Sequence, residues 1–108
     1  MQFIEKIHQV IEENLDNSDF NIDTIASTIG LSRSAFFKKL KSLTGFAPVD
    51  LVKEIRLNKS IELIKNSDMS ISEIAFAVGF KDSGYFSICI RKKYDQTPRE
   101  YMNEWRKG

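Results

Sequence analysis

The 108-residue sequence is poor in the residues that build cross-linked or metal-bound cores. It has one cysteine, Cys89, so no internal disulfide and no multi-cysteine zinc site can form. It has one histidine, His8, which excludes the two-histidine zinc helix. No apolar run approaches 18 residues, so nothing in the sequence reads as a membrane span. Acids interrupt the opening stretch MQFIEKIHQVIEENL where a secretion signal needs an unbroken apolar segment. The expected setting is the reducing cytoplasm, without membrane contact. There is no nucleophile–base pair, no phosphate-cradling glycine loop and no paired-acid pocket. The sequence therefore offers no catalytic residue, no cofactor site and no metal site, and an enzyme is not expected.

What is present is ordinary globular material, 42% hydrophobic and 29% charged, with the length of a single domain. The net charge of +1 does not advertise a nucleic-acid partner, but its distribution is uneven. Residues 1–24 carry a net of −5, residues 25–48 a net of +4 with no acid, and residues 81–108 a net of +3. Two basic segments thus alternate with acidic ones.

The apolar periodicity is helical throughout. Phe3, Ile4, Ile7, Val10, Ile11 and Leu15 form one stripe, and Asn17-Ser18-Asp19 punctuates after it. Ile22, Ile25, Ala26 and Ile29 form a second stripe, closed by Gly30. Ser32 caps a third helix in which Phe36, Leu40 and Leu43 share a face, ended by Gly45. Pro48 starts a fourth helix that runs to Asn66 without a break, apolar on two sides. Ser70-Ile71-Ser72-Glu73 and Thr97-Pro98-Arg99-Glu100 are capping boxes. The first opens a fifth helix reaching Gly79, and the second a seventh holding Tyr101, Met102 and Trp105. Asp82 caps the sixth, with Phe86, Cys89, Ile90 and Tyr94 inward. The fold class is all-α, with seven helices.

An internal repeat organises these elements. Asn21-Ile22-Asp23-Thr24-Ile25-Ala26 matches Ser70-Ile71-Ser72-Glu73-Ile74-Ala75 at a shift of 49. After one inserted residue the shift is 50, so that Phe36 meets Phe86, Leu40 meets Ile90, Pro48 meets Pro98 and Arg56 meets Arg106. Each copy reads as short helix, glycine turn, second helix, then a proline-started helix, and the first two helices are a helix-turn-helix. The expected layout is one domain, 1–108, with a first helix-turn-helix over 17–46 and a linker helix over 48–66. The second helix-turn-helix follows over 70–95 and a C-terminal helix over 98–107.

Projected at about 100° per residue, the third helix turns Ser34, Lys38 and Lys41 away from its apolar face, with Phe37 on the flank. The sixth turns out Gly84, Ile88 and Arg91, with Ser87 on the flank. Both outward faces mix small, apolar and basic residues, which suits contact with base edges and phosphates. Arg33, Lys81 and Lys92 add candidate phosphate contacts. The linker is about 28 Å long at a rise of 1.5 Å per residue, close to the roughly 34 Å of one DNA turn. The expectation is two recognition helices in successive major grooves of one duplex, reading half-sites that are not palindromic. Cys89 reads as a small buried hydrophobe, and Glu54 and Glu104 as partners of Arg56 and Arg106 or as phosphate-side positioning groups.

The segments IASTIGLSRSAFFKKLKSLTGFAP, IRLNKSIELI and ISEIAFAVGFKDSGYFSICIRKKYDQTPREYMNEWR resemble the DNA-binding domain of the AraC/XylS family of bacterial transcription regulators. The resemblance covers about residues 8–106. Its first copy is similar to the version at the C-terminal end of hybrid two-component sensors. The resemblance implies a transcription-regulating output domain attached to an upstream sensor or receiver domain, with double-stranded DNA and RNA polymerase as partners. It assigns base-reading positions to Ser34, Phe37 and Lys38, and to Ser83, Gly84, Ser87 and Ile88. Two positions depart from the family pattern: Ile88, where arginine is frequent, and Asp95, where glycine is usual. The alternative is a helical protein–protein interaction module without sequence-specific DNA binding.

Overall fold

In the computed structural model, which describes residues 2–17 and 21–106, the regular elements are α-helices, with no strand among the described residues. They are α1 (Gln2–Glu13), α2 (Ile22–Ile29), α3 (Arg33–Thr44), α4 (Pro48–Asn66), α5 (Ile71–Ala77), α6 (Ser83–Tyr94) and α7 (Pro98–Trp105). The punctuation read at Ser18 and Asp19, and Lys107 at the end of the last segment, lie outside the described residues.

The boundaries follow from local chemistry. Asn21, Ser32, Ser70, Asp82 and Thr97 each turn a side-chain oxygen onto a backbone N–H of the first helical turn. Both capping boxes are complete: Glu73 accepts from the Ser70 amide at 2.9 Å and Glu100 from the Thr97 amide at 2.8 Å. These donated N–H groups, with the cap hydroxyls, hold both carboxyls below the usual carboxylate range. Helices α2 and α3 end at Gly30 (φ 85°) and Gly45 (φ 79°), where a side chain would be strained. Helix α6 ends at Asp95 in the same left-handed region, φ 60°. Helix α5 is shorter than its apolar pattern: it stops at Ala77, and Gly79 (φ 94°) makes the turn outside it.

Two compact units result. One holds Met1–Leu15 and Asp19–Ile55, the other Asp16–Ser18 and Arg56–Gly108. The split falls inside α4, so residues 48–55 serve the first unit and 56–66 the second. The repeat therefore extends beyond the helix-turn-helix. Each unit has a leading helix, the helix-turn-helix pair and a trailing proline-started helix. In the first unit Ile7 and Ile11 of α1 are buried, and in the second Leu57 and Ile61 of α4, at the same shift of 50. Pro48 and Pro98 are buried at the head of the trailing helices. Phe36 and Leu40 fill the first core, and Phe86 and Ile90 the second, all at 0% exposure. Truncating either phenylalanine to alanine carries a cost of about 3–5 kcal/mol.

The equivalent arginines Arg56 and Arg106 close backbone carbonyls. Arg56 donates to Gly79 O and Asn17 O, both at 3.1 Å, and burial lowers its pKa. Arg106 donates to Ile64 O (2.8 Å), Met69 O (2.7 Å) and Leu63 O (3.2 Å), where α4 runs out of intrahelical partners. Arg106 is thus not engaged with Glu104 as the spacing suggested; Glu104 accepts instead from Gln96 at 3.2 Å. A second correction concerns Leu43. It was expected on the core face of α3 but is 50% exposed. Helix α2 has only eight residues against the twelve of α3, and the last turn of α3 outruns it.

Candidate nucleic-acid interface

In each unit the short first helix packs on the second, α2 on α3 and α5 on α6. Ala26 and Ala75, 2% and 0% exposed, permit the close approach. Burial of Phe36 and Leu40 fixes the rotation of α3, and burial of Phe86, Cys89 and Ile90 fixes that of α6. The opposite faces are left in solvent. Neither helix has an acid in its first turn.

On α3, Arg33, Ser34, Phe37, Lys38 and Lys41 are all exposed, with Phe37 at 47%. On the second unit Lys81, Gly84, Ile88, Arg91 and Lys92 are exposed, Ile88 at 55%, while Ser83 and Ser87 are half-buried. Ser34, Phe37, Lys38 and Lys41, and Gly84, Ser87, Ile88 and Arg91, lie where the helical projection puts them. Lys81 sits in the turn just before α6. The caps complete the presentation: the Ser32 hydroxyl accepts from Ala35 N at 3.1 Å, and Asp82 Oδ1 from Gly84 N at 2.8 Å. A Cβ on Gly84 would stand 3.2 Å from that Asp82 oxygen.

Two further residues belong to these surfaces. Asp23 of α2 sits 3.6 Å from Arg33 Nε, both side chains largely exposed. Arg33 opens α3, at the positive end of the helix dipole, and Asp23 offsets that placement. Tyr85 is 50% exposed beside Gly84, its ring 6.1 Å from that of Phe80. The projection places Tyr85 on the flank opposite Ser87, but its apolar ring reads as core material. The Asp23–Arg33 pair spans two helices and leaves no periodic trace. Lys39, by contrast, is turned from the face to a ring: its Nζ lies 4.4 Å from the Phe3 centroid.

The C-terminal end of α6 is tied to α4. Asn58 Oδ1 accepts from Tyr94 Oη at 2.9 Å and from Lys93 Nζ at 3.1 Å. Partial burial pushes the Tyr94 hydroxyl pKa up and the Lys93 ammonium pKa down. Tyr94 also meets Tyr101 of α7 edge-on, with centroids 5.7 Å apart.

Among the described residues no helix is long and apolar enough to cross a membrane. A family model described as a helix-turn-helix domain matches residues 25–104. The chain is 36% identical to histidine kinase P4 of Formosa agariphila, over 96% of this chain and 8% of that protein. It is 30% identical to the HTH-type transcriptional activator RhaS of Escherichia coli, over 83% of this chain and 38% of that protein. The chain thus spans well under two thirds of both relatives. Its fold superposes with a TM-score of 0.86 on the DNA-binding domain of AdpA, a global transcriptional factor solved in complex with a target DNA. That match has 27% identity and covers 96% of this chain and 92% of that one.

Proposed function

The chain belongs to the AraC/XylS family of helix-turn-helix domains, the DNA-binding domains of transcription regulators, and from this we propose that it binds specific duplex DNA through α3 and α6 as the output domain of a larger regulator. The observation that carries the reading is the duplication itself. Two units each turn an acid-free helix face into solvent from the same position in the same helix-turn-helix. Arg33, Ser34, Phe37, Lys38 and Lys41 form the first contact set. Lys81, Ser83, Gly84, Ser87, Ile88, Arg91 and Lys92 form the second. The uninterrupted 19 residues of α4 support insertion into successive major grooves of one duplex. The two units act as one DNA-binding domain in this scheme.

The likeness to a histidine kinase supports a sensor or receiver domain on the same polypeptide, and membership of a DNA-binding helix-turn-helix family supports a cytoplasmic setting. The likeness to a transcriptional activator supports RNA polymerase as a protein partner. A helical protein-interaction module is the second reading. It draws on Leu43, Phe46 and Val49, exposed around the α3–α4 corner, where the second unit has Lys93, Gln96 and Arg99.

Selection from a random duplex library followed by anisotropy titration tests the proposal. Lys38→Ala is expected to weaken binding more on the selected site than on random DNA. A uniform loss with a salt slope shallower by about 1 assigns Lys38 to phosphate alone. A chain that enriches no sequence leaves the protein-interaction reading standing.

A further inference from the structure

The two outward faces differ in chemistry position by position. At a shift of 50, Ser34 corresponds to Gly84, Phe37 to Ser87 and Lys38 to Ile88. On α3 the apolar residue comes first and the hydrogen-bond donor second, whereas on α6 the order is reversed and the donor is lost. Ile88 stands 55% exposed with no side chain at Gly84 beside it. The Ser87 hydroxyl donates its proton to Ser83 O at 3.0 Å, which leaves only its lone pairs to face outward. The Asp82 carboxylate is held by the Gly84 amide at 2.8 Å. Arg91, one turn further on, lies near the head of α7. There it joins the Thr97 amide and hydroxyl, which act more strongly, in holding the Glu100 carboxyl down. Apart from Tyr85 on the flank, the outward face of the first two turns of α6 thus presents an apolar side chain, an acceptor and a position without a side chain, with no cationic fork.

Guanine is read in the major groove by paired donors, and thymine is the one standard base that shows a methyl group there. Taking the DNA-binding reading as its basis, we infer that α6 recognises thymine through its C5 methyl, with Ile88 against that methyl and Ser87 accepting from an adenine or cytosine amino group. The half-site under α6 is therefore A·T-rich and carries no guanine contact, while a guanine contact belongs to Lys38 on α3. Gly84 adds no side chain between the α6 backbone and the base edges; the group beside it is the Asp82 carboxylate, 3.2 Å from where a Cβ would stand, and it is held back on the Gly84 amide, so the short Ile88 side chain can reach.

The test uses the full chain and the selected duplex. The half-site under α6 is the one whose base preference changes in Ile88→Ala; the exposure of Ile88 keeps that variant folded, as circular dichroism checks. Each thymine there is then replaced in turn by deoxyuridine, which removes the methyl and nothing else. At one or two positions the loss is expected to be about fourfold, the factor for one buried carbon at roughly 0.8 kcal/mol. Ile88→Ala should show no such loss, and 5-methylcytosine at those positions should bind better than cytosine. Indifference of the unmutated chain to deoxyuridine at every position, or an essential guanine in that half-site, overturns the inference and leaves DNA binding intact. A library from which nothing is enriched overturns both.

Discussion

Arg106 is the residue whose loss has the most calculable consequence. Its guanidinium reaches three backbone carbonyls, but they are not equally dependent on it. Leu63 O also accepts from the Ser67 amide at 3.0 Å and the Ser67 hydroxyl at 2.6 Å, so it stays satisfied without the arginine. Ile64 O and Met69 O lose a charge-assisted donor. At roughly 1–2 kcal/mol for each half-buried carbonyl left to find water, Arg106→Ala should cost about 2–4 kcal/mol. That is a large part of the 5–15 kcal/mol or so that holds a domain of this size together. Urea unfolding followed by far-UV circular dichroism should show the midpoint falling by roughly 1–2 M at a slope near 2 kcal/mol/M. Trp105, with Lys65 Nζ 4.1 Å over its ring, gives a fluorescence signal from the second unit alone. Arg106→Lys should recover less than half of the loss, because one ammonium cannot span both carbonyls. A loss below about 0.5 kcal/mol for Arg106→Ala would refute the assignment of these bonds as a structural closure.

Asp23→Asn should leave thermal stability within about 0.5 kcal/mol, since its pair with Arg33 is exposed. The same change should tighten DNA binding and steepen its salt dependence by up to about one charge, as Arg33 becomes free for phosphate; unchanged salt dependence places Arg33 away from the duplex. Asp95→Gly should raise stability by about 0.5 kcal/mol, seen as a melting temperature a few degrees higher, because Asp95 sits at φ 60°. Glu73 and Glu100 have folded pKa values below those of the unfolded chain. Their contribution is therefore present above the ordinary carboxylate pKa of about 4.3 and is lost as pH falls through the lower folded values. Acid unfolding of the Glu73→Gln/Glu100→Gln variant should be shallower over that window, since the amides keep the caps without titrating.

Much of this was legible because caps and periodicity are local. Ser32, Ser70, Asp82 and Thr97 name their helices within four residues, and the repeat shows which residues of α3 and α6 face out. Leu43 was misread because periodicity reports which side of a helix a residue occupies, not how far along the axis its neighbour extends. The roles of Arg56 and Arg106 were hidden for another reason. Their partners are carbonyls more than 20 residues away, and a carbonyl carries no residue identity. The Asp23–Arg33 pair escaped for the same lack of a local signal.

Two modules that meet the same structural demands with different residues amount to substitutions already made inside one molecule. Asp95 occupies the slot of Gly45, so that turn is known to accept an acid. Lys93, Gln96 and Arg99 occupy the slots of Leu43, Phe46 and Val49, so the corner after α3 folds without its greasy trio. Transplanting those three residues backward gives a variant whose fold has a precedent in its own other half. Whatever that variant ceases to do belongs to what the trio touches.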